Sequence, residues 1–426
     1  MIIQNFTKLG DTKNKQRALD ILETGLFAAM PEQKLTKILK KNQIKIGKKS
    51  IRLSGYENIY LVAFGKAADS MAKAANSLSK IKSGIIVMPK GSTPYIRNKK
   101  FQIFKSSHPI PNKTSVRAAK SVLQFLKKRK KNEFVIFLVS GGASALLALP
   151  NGITLKQKIK VTKLLLKSGA TIQEINCIRK HLSKIKGGKL IEGMNCSGVS
   201  LVMSDVMGDD LSSIASGTTY YDKTTFRDAF NIIKKYNLAK KLPKPVIKIL
   251  KSGSLGKIPE TPKKQKIKNY IISSNSDCLE AMAKKSKKLG LSCKTKHISG
   301  NVKDASKKLV RLAPKKIKSC VIFGGETTVH VIGNGVGGRN QELVLRILQK
   351  LQKKNQTMVI ASLGTDGIDG NSKYAGALSE NISVNPKEIK SILQNNNSES
   401  FFKKYGGLIK TGNTKTNLMD IGLLLN

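Results

Sequence analysis

The chain has 426 residues, 40% of them hydrophobic, and this length predicts two domains rather than one core. It has 78 Lys and Arg against 26 Asp and Glu, a net charge of +52. This excess would suit a nucleic-acid-binding protein, but the lysines are spread singly and in pairs along the whole chain. A lysine-rich but otherwise ordinary surface is therefore favoured over a nucleic-acid interface.

The cysteines and apolar segments predict a protein of the cytoplasm that does not enter a membrane. The five cysteines are widely spaced and match neither zinc-site nor disulfide spacing. The first twenty residues lack the pattern of a secretion signal, and the longest apolar run, FVIFLV, is too short to cross a bilayer.

In chain order, an amphipathic helix over about residues 14–40 is followed by six short apolar strands that alternate with helical stretches. The strands are predicted at 58–64, 134–139, 198–203, 268–273, 319–323 and 357–362. This pattern is typical of an α/β protein. A stretch with little periodicity at 238–266 predicts a domain boundary, so we expect a first domain at 1–240 and a second at 265–426.

We expect two three-layer α/β/α domains, the first with a mainly parallel Rossmann-like sheet and the second with a mixed sheet. Each of the six strands ends in a short stretch that contains Gly, Ser, Thr or Asp rather than in a long loop. In open α/β sheets, ligands bind at the carboxyl ends of the strands. The sequence therefore predicts an active site in a cleft between the two domains.

A glycine-rich stretch, GNGVGGRNQEL, contains the G-x-G-x-x-G spacing at Gly333, Gly335 and Gly338. A nicotinamide site needs an acid about 20 residues further on. The next acid after the following helix is Asp366, which lies in another strand's own turn. The preceding TTVHVIG is also predicted to return from SCVIFGGE as a hairpin arm, so a dinucleotide site is not favoured. What remains is an anion site formed by Arg339 and unpaired N–H groups at a helix start.

Other candidate binding residues follow the strands or lie on one helix. Lys66 follows a glycine at a strand-to-helix turn, although the Walker A spacing is absent. Thr171 and Glu174 predict a capping box that begins a helix. The candidate substrate- or nucleotide-binding residues are Ser140, Gly141, Gly142, Ser144, Asn176, Arg179, Gly324, Gly325, Glu326, Thr327 and Asn340.

Acidic residues are grouped at two of the strand ends. Asp205 is predicted to orient or deprotonate a substrate hydroxyl, and Asp366, with Asp209 or Asp369, to hold Mg²⁺. Asp210 precedes a helical stretch and is interpreted as a cap. Anion loops, two placed cations and two acid groups together favour phosphoryl transfer.

His108 and His181 complete the candidate set. Their neighbours indicate structural or substrate-orienting roles, and no Ser-His-Asp set is evident.

Five motifs in order resemble the MOFRL-type (class II) glycerate kinases: EFVIFLVSGGASALL, GATIQEINCIRKHLSKIKGGKL, SDVMGDDLSSIASG, GGETTVHVIGNGVGGRNQEL and GTDGIDG. The resemblance covers the chain from about residue 14 onwards, except for 220–270. It implies an ATP- and Mg²⁺-dependent kinase that converts D-glycerate to 2-phosphoglycerate. It also implies that Lys66 and Arg339 are key active-site residues.

The chain departs from the family pattern at four positions. Met207 and Thr218 replace prolines, and Asn112 and Lys373 replace acids. Two alternatives stay open at this stage, an NAD(P)-linked hydroxypyruvate reductase and a basic nucleic-acid-binding protein. A homodimer is compatible with the sequence.

Overall fold

The structure is a computed structural model that describes residues 1–76, 81–352, 358–380 and 384–426. The chain forms two compact units. We call residues 34–272 the continuous unit, and residues 1–33 with 273–426 the discontinuous unit. The predicted division at 1–240 and 265–426 therefore differs from the observed one at both ends.

The helices and strands alternate along most of the chain. The helices are α1 (Phe6–Leu9), α2 (Lys13–Ala29), α3 (Pro31–Ile38), α4 (Ala68–Ala75), α5 (Lys113–Lys127), α6 (Ala143–Leu146), α7 (Leu155–Lys167), α8 (Ile172–His181), α9 (Lys189–Glu192), α10 (Phe226–Lys235), α11 (Lys244–Ser254), α12 (Asn275–Lys288), α13 (Val302–Leu312), α14 (Arg339–Gln352), α15 (Pro386–Gln394) and α16 (Ser398–Tyr405). The strands are β1 (Leu39–Lys40), β2 (Gln43–Ile46), β3 (Lys49–Arg52), β4 (Ile59–Phe64), β5 (Ile81–Pro89), β6 (Phe101–Ser106), β7 (Phe134–Val139), β8 (Ser197–Met203), β9 (Lys268–Ser273), β10 (Ser292–Asn301), β11 (Ser319–Thr328), β12 (Val359–Gly364), β13 (Gly376–Glu380), β14 (Leu408–Ile409) and β15 (Asp420–Leu425).

The continuous unit is built on a six-stranded sheet in the order β6-β5-β4-β7-β8-β9, with parallel pairing from β6 through β8. Strands β4 and β7 are buried along their whole length, which is typical of parallel strands covered by helices on both faces. Phe64 pairs with Val139, and Val139 with Val202. The turns that follow β4, β7 and β8 therefore meet at one edge of the sheet.

The discontinuous unit contains a mixed sheet in the order β10-β11-β15-β12-β13-β14. Only β10 and β11 pair in parallel, and the other pairs are antiparallel. Strand β15 begins at Asp420, opposite Gly325 of β11 and Gly364 of β12. Asp420 therefore lies at the carboxyl ends of two neighbouring strands. The predicted α/β class, with one mainly parallel and one mixed sheet, is confirmed.

The amino-terminal helix belongs to the discontinuous unit because its apolar face packs there. Leu19, Leu22 and Leu26 of α2 are fully buried, and α2 packs against α12 and β15. A Cβ at Gly25 would come within 2.8 Å of side-chain atoms of both Met282 and Ile421. This close approach requires glycine at position 25 of the helix.

Helix α8 begins as the capping box predicts. Thr171 accepts from the backbone N–H of Glu174, and Glu174 accepts from that of Thr171. The helix ends at His181, so Ser183 lies beyond it and does not share a helical face with Asn176 and Arg179.

Two other sequence interpretations are wrong. Helix α11 lies in the segment interpreted as a boundary, because Val246 and Leu250 form a buried helical stripe there. The predicted hairpin arm TTVHVIG is absent, since β11 continues to Thr328 and residues 329–338 have no regular structure. Over the described ranges, no helix is long and apolar enough to span a membrane.

Candidate active site

In the continuous unit, the turns after β4 and β7 are joined by backbone contacts at Lys66. The N–H of Lys66 donates to the carbonyl of Gly141 (2.8 Å), and the N–H of Ala67 donates to Ser140 Oγ (3.0 Å). A Cβ at Gly65, whose φ is +131°, would lie 2.2 Å from Ser140 Oγ. Ser140 and Gly141 therefore hold the two turns together, and this close approach explains the glycine before Lys66.

The side chains of Lys66 and His108 both lie beside Gly142 at the same sheet edge. A Cβ at Gly142, which has φ +74°, would be 3.0 Å from the His108 ring and 3.2 Å from Lys66 Cγ. The aliphatic part of Lys66, the imidazole and the Gly142 backbone thus meet at one point. The structure brings together Lys66, Gly142 and His108 from three separate segments of the sequence.

Two residues after Gly142, Ser144 belongs to a hydrogen-bonded group that includes Asn176 and Arg179. Ser216 Oγ donates to Asn176 Oδ1 (3.0 Å), as does Arg179 Nη1 (3.3 Å), and Ser144 and Ser216 are 2.7 Å apart. Lys186 Nζ donates to Ser144 Oγ (3.1 Å). Ser216 and Lys186 were not among the residues predicted from the sequence.

Ser216 reaches this group through unusual backbone geometry. Ala215 and Ser216 have φ of 53° and 56°, and Gly217 follows with φ 63°. Left-handed φ in residues other than glycine is uncommon, and such conformations cluster at functional sites. Thr218, which departs from the family proline, donates from its hydroxyl to the carbonyl of Ala215 (2.7 Å).

The acids after β8 fall into two kinds. Asp205 lies two residues beyond the strand and is half-buried, and Asp209 is also half-buried, with φ 56°. Asp210 accepts from the N–H and Oγ of Ser212 and from Ser213 Oγ, so it holds a local Asx-turn. Its interpretation as a helix cap is wrong, because the short 3-10 helix that follows begins only after Ser213. Asp205 lies just after the carboxyl end of β8, at the sheet edge that carries Lys66, and Asp209 lies further along the same loop.

His181 is a structural residue. It is fully buried, with Nδ1 2.8 Å from the carbonyl of Cys177 and Nε2 3.2 Å from Glu260 Oε2, and its ring packs edge-on against Phe226.

In the discontinuous unit, the N–H groups of the glycine-rich loop are paired within the chain. The amides of residues 332–337 donate to three consecutive asparagines, Asn395, Asn396 and Asn397, and to Asn371. The amides of residues 332–337 are therefore not available to an anion, and an anion site at the start of the following helix stays a prediction.

The glycines of this loop serve close packing. A Cβ at Gly333 or Gly335 would lie 2.4–2.5 Å from the carbonyl oxygen of Asn395, and one at Gly338 would lie 2.3 Å from Asp369. The G-x-G-x-x-G spacing reflects contact with the chain itself rather than with a dinucleotide.

Asp369 caps α14, the helix that begins at Arg339. Its Oδ1 accepts from the backbone and side-chain amides of Asn340 (3.0 and 3.2 Å), and its Oδ2 accepts from the N–H of Gln341 (2.9 Å). Asn340 Oδ1 in turn accepts from Ser362 Oγ (2.6 Å). Burial raises the pKa of Asp369 to about 7, against the opposing effect of the two backbone N–H groups. Asp369 and Asn340 therefore hold the helix start in place.

Arg339 is held by two carboxylates. Its Nε and Nη2 donate to the two oxygens of Asp420 (2.6 and 2.9 Å), and Nη1 donates to Glu326 Oε1 (2.7 Å). Burial opposes the charge, but Asp420 and Glu326 hold the pKa of Arg339 above its usual value. Asp420 was not predicted from the sequence. The feature of the sequence that could have identified Asp420 is its position as the first residue of the apolar run DIGLLL.

The other candidates on β11 lie inside the strand. Gly324 and Gly325 pair with β10 on one side and β15 on the other. A Cβ at Gly325 would be 2.0 Å from the carbonyl oxygen of Ile298, and one at Gly324 would be 2.3 Å from Asn275 Oδ1. Thr327 is buried. Of this group, Glu326 pairs with Arg339, and Thr327 lines a cavity beside it.

Asp366 lies near Asp420 at the end of β12. The Cβ position of Gly364 is 3.2 Å from Asp366 Oδ1 and 3.4 Å from Asp420 Oδ1. Asp366 Oδ1 also accepts from the N–H of Ile368. Among the residues that the structure describes, no cluster of three or more His, Cys, Asp or Glu could enclose a metal ion.

A cavity of about 460 Å³ opens beside Arg339. Its walls include Glu326, Thr328, the backbone of the glycine-rich loop and Asn396. The side chain of Arg339 is 31% exposed. The arginine can therefore be reached by a small ligand.

Residues 17–251 match a family described as a domain of unknown function (DUF4147), and residues 319–420 match the MOFRL family. The chain is 36% identical to the glycerate 2-kinase of Pyrococcus horikoshii, over 95% of this chain and 97% of that protein. It is 34% identical to the D-glycerate 2-kinase of Thermotoga maritima, over 96% and 98%. The crystal structure of a glycerate kinase from Thermotoga maritima covers 96% of this chain and 98% of its own, with a TM-score of 0.79 at 32% identity. The chain belongs to the MOFRL-type (class II) glycerate kinase family.

Proposed function

We propose that this protein is a glycerate 2-kinase, which transfers a phosphoryl group from ATP to D-glycerate and yields 2-phosphoglycerate. The observation that carries the proposal is the near-full-length similarity to glycerate 2-kinases. Lys66 and Arg339 are the residues to which the sequence motifs assign key roles. Phosphoryl transfer needs fixed positive charge and a positioned hydroxyl rather than covalent chemistry by the protein.

Arg339 is suited to hold an anionic group of the substrate. A guanidinium has five N–H donors, and Asp420 and Glu326 occupy three of them. The two remaining donors can meet the carboxylate of glycerate or the oxygens of the phosphoryl group. Because the two carboxylates fix the side chain, Arg339 loses little freedom when it binds.

Lys66 is proposed to neutralise negative charge on the phosphoryl group. Its side chain lies against Gly142 and His108 at the edge where three strands end. Asp205 is proposed to orient or deprotonate the attacking hydroxyl of glycerate. Its place after β8, next to the end of β7, supports this role.

The carboxylates fit Mg²⁺ that is shared with a phosphorylated ligand. Mg²⁺ in kinases is held by one or two carboxylates, substrate phosphates and water, so an all-protein cage is not required. Asp366 suits this role, with Asp209 as the second candidate. Asp369 suits it less, since both of its oxygens accept N–H groups of α14. When bound, the metal offsets the charge that develops on the phosphates.

The experiment that tests the proposal is ADP release from ATP, Mg²⁺ and D-glycerate, with the product identified by phosphorus NMR. We expect turnover that depends on all three components and yields the 2-phosphate. A 3-phosphate product would overturn the regiochemistry and leave the kinase assignment standing. Absence of turnover with every nucleotide and metal tried would overturn the proposal.

The reductase alternative is not favoured, because the loop with dinucleotide spacing pairs its amides with asparagines. Nucleic acid is not proposed as a partner. The cytoplasmic location, the homodimer and the cleft between two domains stay predictions.

A further inference from the structure

We propose that Lys158, Arg179 and Lys186 form a buried binding site for a phosphate group, next to Ser144 in the continuous unit. The sequence analysis assigned no role to Lys158 or Lys186. The inference rests on the proposed function only for the origin of the phosphate. The site itself follows from the burial, charge and hydrogen bonds of these residues.

Among the residues that the structure describes, no carboxylate pairs with any of these three cations. Lys158 is 6% exposed and Lys186 is fully buried, and no carboxylate of the described residues lies within 4 Å of any of the three. Lys180, on the same helix as Arg179, shows the usual arrangement, since it pairs with buried Asp222 at 3.1 Å. Buried charges are normally paired. Three unpaired ones in one place indicate that the partner is a ligand.

The hydrogen bonds in this group point the same way. Ser216 donates its only hydroxyl proton to Asn176, so Ser144 must donate to Ser216, and Lys186 donates to Ser144. The chain of donors starts at one cation, and Arg179 donates to the same amide oxygen from the other side. Lys186 and Arg179 therefore donate hydrogen bonds into the network from its two ends, and no carboxylate among the described residues accepts one.

Donors remain without acceptors. Nε of Arg179 is buried and has no hydrogen-bond partner. The ammonium group of Lys158 makes no hydrogen bond or ion pair with any described residue, whereas Lys186 reaches only Ser144 Oγ and, at 3.4 Å, the carbonyl of Ala215. An unpaired buried donor is costly. An anion with several oxygen atoms would satisfy these donors at once.

The proton affinity of the group supports the same conclusion. Burial, with the neighbouring charge of Arg179, lowers the pKa of Lys158 to about 7. Burial and the charges of Arg179, Lys158 and Lys180 lower the pKa of Lys186 well below its usual value. A bound anion would reverse these shifts, and binding would then take up protons near neutral pH.

A phosphate group fits these features better than a carboxylate. It carries up to two negative charges near neutral pH and offers oxygens in several directions, so three separate donors can reach it. The guanidinium fork of Arg179 is a geometry that recurs in phosphate recognition. The group can come from a nucleotide, from a phosphate ester or from inorganic phosphate.

The test is calorimetric titration of the full chain with inorganic phosphate, in the absence of glycerate. Lys158→Met keeps the volume of the side chain and removes the charge. Lys160→Met removes an exposed charge from the same helix and is the matched control. We expect Lys158→Met to weaken phosphate binding at least about tenfold and Lys160→Met to leave it unchanged.

A second readout separates binding from a structural role. At pH 8, titrations in buffers of different ionisation enthalpy should show proton uptake on binding by the wild type, and less by Lys158→Met. Arg179→Gln is the second binding variant. Thermal unfolding of each variant establishes that it is folded.

The source of the phosphate is distinguished by titration with ADP and with 2-phosphoglycerate. If the variants weaken ADP binding, the site holds a nucleotide phosphate. If they weaken only 2-phosphoglycerate binding, it holds the transferred group. Equal binding of phosphate, ADP and 2-phosphoglycerate by the wild type and both variants would overturn the proposal. Loss of D-glycerate binding alone would also overturn it. None of these outcomes depends on turnover.

Discussion

The burial of Lys158 makes a strong prediction about stability. Each tenfold change in proton affinity corresponds to about 1.4 kcal/mol. Folding lowers the pKa of Lys158 from 10.5 to about 7. Its charged form therefore costs up to about 5 kcal/mol in the folded protein when no ligand is bound. The ammonium group makes no hydrogen bond that methionine would lose, so Lys158→Met should unfold with a higher free energy than the wild type.

The pH dependence gives the sharper test. Between about pH 7 and 10.5, the unfolded wild type binds more protons at Lys158 than the folded protein does. The free energy of unfolding of the wild type should then rise relative to the variant, by about 1.4 kcal/mol per pH unit. Below about pH 7, both states are protonated and the difference is constant at its maximum. Urea unfolding of both proteins, in steps of half a pH unit from pH 6.5 to 9.5, measures this difference in the free energy of unfolding. The contributions of titratable groups that both proteins share cancel in the difference.

Two outcomes would refute the reasoning. A difference between wild type and Lys158→Met that does not change with pH would mean that the lysine titrates normally. A variant less stable than the wild type would mean that the ammonium group has a stabilising partner. Lys160→Met, on the exposed side of α7, should show no pH-dependent difference.

Other predictions concern both units. Arg339→Ala should lower kcat/KM for glycerate at least about a hundredfold, about 2.7 kcal/mol of transition-state stabilisation, and near-normal kinetics would remove Arg339 from the site. Asp420→Asn keeps the shape of the side chain but weakens its ion pair with Arg339, so it should lower kcat/KM roughly tenfold. In the double variant, Arg339→Ala should cost less than it does alone, and a double variant whose loss equals the sum of the two single losses would contradict this. Asn396→Ala should speed hydrogen exchange of the Ile332 and Gly333 amides, because both donate hydrogen bonds to the Asn396 side chain. Unchanged exchange would mean that Asn396 does not protect these amides. Gly65→Ala should abolish folding or turnover, because its Cβ would overlap Ser140 Oγ; a fully active variant would be inconsistent with the structure.

The residues that sequence reasoning identified are those whose neighbours along the chain reveal them. Lys66 was found because a glycine and a buried strand precede it, and Arg339 because a helix follows it. The register of β4 and β7 then places the turns after these strands side by side, as expected for parallel strands. Local patterns and the rules of parallel sheets were sufficient for this part of the site.

The residues that were missed owe their roles to contacts distant in sequence. Asp420 acts on Arg339 across 81 positions, and Ser216 acts on Asn176 across 40. Nothing near either residue in the sequence shows its partner. The glycine-rich loop misled for the same reason, since the asparagines that occupy its amides lie about 60 positions further along the chain. A spacing motif cannot show which groups its backbone will meet.

The position of β15 has a consequence for the order in which the protein is made. Residues 420–425 lie between β11 and β12 in the middle of the mixed sheet, and they are synthesised after every other strand and helix of that unit. The continuous unit can therefore fold on the ribosome while the discontinuous unit waits for its central strand. The Arg339 side chain cannot form its ion pair before then, because Asp420 is the first residue of that strand. We therefore expect the continuous unit, with its buried lysines, to fold on the nascent chain before Arg339 is held by Asp420. The ion pair of Arg339 with Asp420 can form only in a chain whose synthesis has passed residue 425.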